Sequence, residues 1–279
     1  MNTARNVTLV LGGTGKTGSR VVQRLQTSGY PVRVGSRTGS PPFDWQDRAT
    51  WTAALNDVDA VYLTYYPDLA IPGAVETILA FMEQAEASGI KRLVLLSGRG
   101  EEEAQRAEQV IRVSAIDWTI LRCSWFSQNF SENFLVESVR SGEVILPAGS
   151  VGEPFIDTED IADVAFTALT GNGHAGQLYE LTGPRLLTFA EAVEEIASAT
   201  GQPVRYRQVS AKDYAAALAE QDVPDDFAWL LDYLFTTVLD GRNAYLTDGV
   251  ERALGRSPRD FSDYAREVAA SGAWDVVPV

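Results

Sequence analysis

Short apolar runs alternate along this chain with stretches whose apolar residues recur at helical spacing. Val7 to Leu11 is a β-branched and leucine run. After a burst of glycines, Val21, Val22 and Leu25 fall on one helical face. The pattern repeats. Val32 to Gly35, a short Phe43-Asp44-Trp45 segment, Ala60 to Leu63, Arg92 to Leu96 and Asp117 to Leu121 read as further strands. Between them, Asp47 to Asn56, Gly73 to Ser88 and Glu101 to Ser114 read as helices. The second of these is expected to bury Val75, Ile78, Leu79 and Met82. The nearly continuous apolar run at 92–96 suits a strand covered on both faces, as in a parallel sheet. Alternation of this kind predicts an α/β fold with a doubly wound parallel sheet.

The pattern loosens beyond about residue 150. Glu143 to Leu146, Gln177 to Leu181 and Val204 to Val209 read as strands. Thr158 opens a helix to Thr170, and Thr188-x-x-Glu191 is a capping box for a helix stopped by Gly201. The remainder reads as mostly helical. The expected division is therefore a nucleotide-binding domain over 1–150 and a smaller, mostly helical substrate domain over 151–279, with the chain free to cross back to the sheet.

The first strand meets its helix through Gly12-Gly13-Thr14-Gly15-Lys16-Thr17-Gly18. Gly13-x-Gly15-x-x-Gly18 and Gly12-x-x-Gly15-x-x-Gly18 both fit the dinucleotide fingerprint. Its position between strand and helix makes this a Rossmann signal. Glycines let the chain turn sharply, and the bare N–H groups of the new helix face a phosphate. Gly15-Lys16-Thr17 also ends a P-loop pattern, but Val10 stands where that pattern needs its first glycine. About 20 residues on, an acid would accept the ribose hydroxyls of NAD. Ser36 and Arg37 stand there instead and suit a 2′-phosphate, so the expected cofactor is NADP(H).

Ligands of such sheets sit outside the carboxyl ends of the strands. Those ends are Gly12 to Gly18, Ser36-Arg37, Asp44, Thr64 to Tyr66, Ser97 to Arg99 and Cys123 to Phe130, expected to converge on one cleft. The net charge of −15, with only three lysines, argues against nucleic acid and anionic membrane as partners. No stretch is long and apolar enough to span a bilayer, and a cytoplasmic location is expected. With one cysteine (Cys123) and one histidine (His174), no metal site is expected. Cys123 reads as a small buried hydrophobe and His174 as a surface-loop residue. The acids Glu101, Glu102 and Glu103 read as ordinary first-turn charges favoured by the helix dipole.

A nicotinamide cofactor implies hydride transfer. No tyrosine of the chain has a lysine four residues later, so the usual acid pair of short-chain dehydrogenases is missing. An iminium or imine, or a quinone-like aromatic, needs little such help, because positioning against the nicotinamide does most of the work. Tyr65, Tyr66, Trp125, Phe126, Phe130 and Phe155 are the aromatics near the strand ends that could form the platform. An acidic protein also suits a cationic small-molecule substrate.

Several stretches together resemble the NmrA-like atypical short-chain dehydrogenases. These are the glycine turn, Ser36-Arg37-Thr38-Gly39-Ser40-Pro41-Pro42-Phe43-Asp44-Trp45, Asp117 to Arg122, Trp125-Phe126-x-x-Asn129-Phe130 and Tyr179 to Pro184. The resemblance is closest to the ergot-alkaloid (festuclavine and agroclavine) dehydrogenases and their bacterial relatives. It implies NADPH-dependent reduction, with Gly12, Thr14, Gly15, Lys16, Thr17 and Gly18 around the pyrophosphate and Ser36 and Arg37 at the 2′-phosphate. It also implies Asp44 and Trp45 by the adenine, Tyr65, Tyr66 and Ser97 by the nicotinamide half, and Trp125, Phe126 and Asn129 on the substrate side. Two positions depart from the pattern: Cys123 replaces a frequent proline, and Ala104 a frequent histidine. Some NmrA-like proteins are non-catalytic NADP(H) redox sensors, and that is the alternative function.

Overall fold

The computed structural model describes residues 7–132 and 134–275. Its main sheet has six strands: β1 (Val7–Leu11), β2 (Val32–Gly35), β3 (Val58–Leu63), β4 (Arg92–Gly98), β5 (Asp117–Cys123) and, after the intervening β6 (Glu143–Leu146), β7 (Gln177–Leu181). They are ordered β2-β1-β3-β4-β5-β7, and the pairs from β2 through β5 are parallel. This is the expected doubly wound sheet, with one change of membership. Phe43 to Trp45 is not a strand. Asp44 only bridges to Asp47, and the aromatic rings of this segment turn inward. The sixth place is taken by β7.

One face of the sheet is covered by α2 (Trp51–Leu55), α3 (Ala74–Ala87) and α4 (Glu102–Arg112), which follow α1 (Lys16–Thr27) in the chain. Leu9, Leu11, Val61, Leu63, Leu93, Leu95 and Ile120 pack there against Trp51, Ile78, Phe81 and Ile111. These strand residues alternate along each strand, as the pleat requires. Helix α3 buries Ile78, Phe81 and Met82, whereas Leu79 is 48% exposed. The face is rotated one residue from the expected one because Phe81 reaches the aromatic cluster of Phe43, Trp45 and Trp51. On the opposite face α1 packs against α6 (Thr158–Thr170), which comes after α5 (Val136–Arg140). Arg20 and Arg24 of α1 donate to Glu159, and Arg24 also to Asp163. Those two arginines are thus committed to structure.

The chain forms two compact units. The first holds 7–123, 158–180 and 249–256; the second holds 124–132, 134–157, 181–248 and 257–275. The break expected at 150 therefore falls at 123/124. The physical reason is pairing: Phe126 bridges to Ile156, and β6 pairs in parallel with β8 (Arg205–Gln208), which follows α7 (Phe189–Thr200). Thr188 caps α7 in a complete capping box and Gly201 ends it in the left-handed conformation, as its sequence requires. The second unit continues with α8 (Ala211–Glu220) and α9 (Asp225–Tyr233). Helix α10 (Gly249–Leu254) returns to the first unit, and α11 (Phe261–Ser271) to the second. The core of the second unit is aromatic: Phe130, Phe155, Phe189, Phe235, Phe261 and Trp274.

Arg185 clamps α7 to the start of α11 by donating to Asp260 at 2.7 and 2.8 Å and to Glu195 at 2.9 Å. Asp260 also accepts from the Ser262 backbone. The Arg185 guanidinium and these donors hold Asp260 well below the usual carboxylate range. A depressed carboxylate stabilises the fold above its unfolded pKa of about 4 and loses that contribution as pH falls further. Thermal melts across acid pH are expected to show the midpoint dropping below about pH 4, with a shallower drop in Asp260→Asn.

Candidate functional site

The order β2-β1-β3-β4 places the topological switch between β1 and β3, the position at whose carboxyl end open α/β sheets bind their ligands. Sequence chemistry dictates the contact there. Gly12 leaves β1 with φ of +62°, a conformation open to glycine, and a Cβ on it would lie 2.3 Å from Thr64 Oγ1 at the end of β3. Thr64 Oγ1 in turn donates to the Leu11 carbonyl at 3.0 Å. A Cβ on Gly18 would meet the Gly12 carbonyl oxygen at 2.2 Å, so only glycine lets α1 come this close to the strand. Gly12, Thr14 and Gly15 are exposed, while Gly13, Thr17 and Gly18 are buried beneath them.

Helix α1 begins at Gly15 with no side-chain cap and no acid in its first turn. A helix start without a cap or an acid is the arrangement that receives an anion. This cradle fits the pyrophosphate of a dinucleotide: glycines where a Cβ would clash, and a helix start with neither a side-chain cap nor an acid in its first turn. Val10 is buried in β1, which is incompatible with a P-loop turn five residues earlier.

Ser36 and Arg37 follow β2 directly. The carbonyl of Ser36 accepts from Gly39 and Phe43, which closes the loop, and its hydroxyl lies 3.5 Å from Thr38 Oγ1. Arg37 is exposed, and among the described residues no carboxylate pairs with it. Asp44 takes the Gln46 N–H on Oδ1, and its carbonyl accepts from the Trp51 indole at 2.7 Å. The Trp45 indole donates to the Thr64 carbonyl at 3.1 Å and its ring meets Tyr65 at 5.0 Å. Trp45 thereby ties the segment after β2 to the end of β3. Tyr66, next along, is 76% exposed.

Ser97 is buried at the end of β4. Its hydroxyl donates to Glu108 Oε1 at 2.7 Å, so it is committed to α4. Glu108 is wholly buried and also receives Arg122 Nε at 2.9 Å and Nη2 at 2.5 Å. Arg122 donates further to Glu180 at 2.8 Å. These partners push the Arg122 guanidinium up, with Glu108 the largest cause. This network joins β4, α4, β5 and β7. It was not legible as such, because Glu108 reads as one more acid on a charged helix.

Three expectations change. Glu101 is not a solvated first-turn acid; it is 8% exposed. Phe130 and Phe155 do not form an open platform: they are 0% and 3% exposed and pack against Phe189 and Phe261. They are aromatic core, because the bridge between Phe126 and Ile156 draws both segments inward. His174 is not a bare surface group: Nδ1 lies 2.9 Å from the Tyr179 hydroxyl, and burial pushes its pKa down. Trp125, Phe126 and Asn129 are half-buried in the second unit, with Trp125 against Phe189 and Phe235. Cys123 is buried, and burial pushes its thiol up, as for an inert hydrophobe. Among the described residues no cluster could hold a metal ion, and no helix is long and apolar enough to cross a membrane.

A family model described as NAD(P)H-binding matches residues 42–172, beginning after the glycine turn. Agroclavine dehydrogenase of Claviceps fusiformis is 32% identical over 282 residues, covering 93% of this chain and 96% of the relative. The chain belongs to the NAD(P)H-dependent oxidoreductase family of the clavine dehydrogenases. Its fold is shared more widely in this family's surroundings. The NADPH-dependent quinone oxidoreductase QOR2 of Escherichia coli, complexed with NADPH, is 22% identical, with a TM-score of 0.78 over 94% of this chain and 99% of that one. NmrA, a negative transcriptional regulator in complex with NAD, is 14% identical, with a TM-score of 0.74 over 97% of each chain. Clavine-dehydrogenase relatives and these folds thus agree with the NmrA-like resemblance read from the sequence.

A methyl group at Gly18 has backbone on its far side and nowhere to go. Gly18→Ala is expected to cost about 1–3 kcal/mol of stability and to weaken dinucleotide binding. Thermal denaturation and NADPH fluorescence titration of the same variant check both.

Proposed function

We propose that this chain is a cytoplasmic NADPH-dependent reductase that passes hydride to a small organic acceptor, an iminium, imine or quinone-like aromatic. The observation that carries the choice of NADPH is Arg37. An exposed guanidinium at the end of β2, unpaired among the described residues and with no acid in the position that would hold ribose hydroxyls, suits a 2′-phosphate.

In this reading Gly12, Thr14, Gly15, Lys16, Thr17 and Gly18 surround the pyrophosphate, with Ser36 and Arg37 at the 2′-phosphate. Asp44 and Trp45 border the adenine, and Tyr65, Tyr66 and Ser97 border the nicotinamide half. Because its hydroxyl is held by Glu108, Ser97 acts as a fixed wall and not as a proton donor. Trp125, Phe126 and Asn129 are the residues assigned to the acceptor; half-buried aromatic rings suit a flat or cationic molecule. The bound cofactor supplies the hydride, and the protein supplies position and electrostatics. The agroclavine dehydrogenase relative supports an iminium-type acceptor, and the quinone oxidoreductase neighbour shares the fold.

A redox sensor of the NmrA type is the second reading, favoured by the missing Tyr-Lys pair. NADPH oxidation by the pure protein against cyclic iminium ions and quinones separates the two. Turnover is expected with at least one class. Arg37→Ala is expected to weaken NADPH about tenfold to a hundredfold, the loss of one charge-assisted contact, and to leave NADH binding nearly unchanged. Tight NADPH binding without turnover on any acceptor would favour the sensor.

A further inference from the structure

Trp125, assigned above to the acceptor, is held from several sides within the second unit. Its backbone N–H donates to Glu153 Oε1 at 3.3 Å, and its carbonyl accepts from Ile156 at 2.9 Å. Its ring stands edge-on to Phe189 at 5.2 Å and lies tilted against Phe235 at 5.0 Å. Phe235 belongs to a π-helical turn, Leu234–Val238, that continues α9. The Leu239 N–H closes this turn on the Leu234 carbonyl at 2.9 Å. Such turns are rare and are frequent at functional sites. The ring of Phe235 is shared. Tyr214, on α8, meets it edge-on at 5.6 Å. The first turn of α8 that carries Tyr214 is fixed by Ser210, whose hydroxyl accepts from the Asp213 N–H at 3.1 Å. Trp125, Phe235 and Tyr214 thus form one aromatic row inside one unit.

The two outer rings of the row each carry a polar atom. Among the described residues neither the Trp125 indole N–H nor the Tyr214 hydroxyl has a hydrogen-bond partner, although both side chains are half-buried. Polar groups drawn into a protein are ordinarily paired, and exceptions call for a reason. Comparable groups of this unit are paired. The Tyr206 hydroxyl donates to the Ala148 carbonyl, the Tyr264 hydroxyl to Ser131 Oγ at 2.8 Å, and the Trp274 indole to the Phe130 carbonyl at 2.8 Å. Burial pushes the Tyr214 phenol up to about 12, so it is a donor that keeps its proton at neutral pH. Aromatic side chains with a few unspent polar groups are the lining of a small-molecule site.

We propose that Tyr214 is a further acceptor-binding residue, whose hydroxyl donates a hydrogen bond to the carbonyl oxygen of a quinone-like ring bound at the Trp125–Phe235–Tyr214 row. The proposal rests on the reductase reading above. A flat ring suits an aromatic lining. A quinone oxygen or a neutral imine nitrogen has the lone pair that the hydroxyl needs. A fully alkylated iminium nitrogen has none. Tyr214 therefore distinguishes acceptor classes: it adds affinity where the acceptor offers a lone pair.

Tyr214→Phe keeps the ring against Phe235 and removes the hydroxyl alone. Calorimetric titration of the whole protein with saturating NADP⁺, which holds no hydride to give, compares two acceptors. One is tetramethylbenzoquinone, whose fully substituted ring does not alkylate side chains; the other is a cyclic N-alkyl iminium. The wild type is expected to bind the quinone. In Tyr214→Phe the quinone Kd is expected to rise about fivefold to tenfold relative to that of the iminium, the loss of one hydrogen bond. An unchanged ratio overturns the proposal, as does a wild type that binds no quinone. The thermal midpoint of Tyr214→Phe is expected to match that of the wild type, since the hydroxyl has no protein partner to lose. A lowered midpoint assigns the hydroxyl a structural role and overturns the proposal as well. Turnover with NADPH separates this inference from its premise. A wild type that binds the quinone with the expected shift in the variant, but reduces neither acceptor, overturns the reductase reading and leaves the role of Tyr214 in binding. Turnover of both acceptors with an unchanged ratio overturns the role of Tyr214 alone.

Discussion

The contact between Gly12 and Thr64 constrains the rest of the first unit. Parallel strands β1 and β3 end side by side, and helices leave the sheet on opposite faces from there. The only way to keep that point lined by backbone is to remove side chains from it. Gly12 does so on the strand side and Gly18 on the helix side, each with room for no Cβ. Thr64 completes the arrangement by closing its hydroxyl onto the Leu11 carbonyl, beside a helix start that carries no side-chain cap. Ion pairs of Arg20 and Arg24 with α6 then hold α1 in place from behind. Two nearby arginines are thus committed to structure, whereas Arg37 is exposed.

A second constraint is the buried polar network at the ends of β4 and β5. Glu108 has no solvent contact and is held by one hydroxyl and one bidentate guanidinium. A buried carboxylate is tolerated when its partners are complete, and removing one of them is costly. Ser97 and Arg122 are thereby fixed in position. The carboxyl ends of β4 and β5 are thus built from groups that cannot reorganise cheaply.

Much of the first unit was legible in the sequence because its signals are local. The glycine turn, the parallel-type runs and the helix at 158–170 each depend on residues close together in the chain, as does the capping box at Thr188 in the second unit. What was not legible depends on distant partners. Phe43 to Trp45 has the composition of a strand, but its rings are drawn into a cluster with Trp51 and Phe81 that periodicity cannot reveal. Glu101 and Glu108 look like the other acids at and within α4; only Gly98, Ser97 and Arg122, brought in from other elements, make them different. Phe130 and Phe155 were read as a platform from their place near strand ends, whereas packing against Phe189 and Phe261 makes them core.

The interleaving of the two units bears on how the chain folds during synthesis. Strands β1 to β5 lie within one continuous segment and can pair as soon as residue 123 is available. The edge beside β5 stays open until β7 arrives, more than fifty residues later by its position at 177–181. The second unit waits longer, since its aromatic core needs Phe261 and Trp274 as well as Phe130. Such long-range closure slows folding and leaves a hydrophobic nascent surface exposed in the interval. The strong negative charge of the chain offers protection during that interval, because mutual repulsion keeps partly built copies apart.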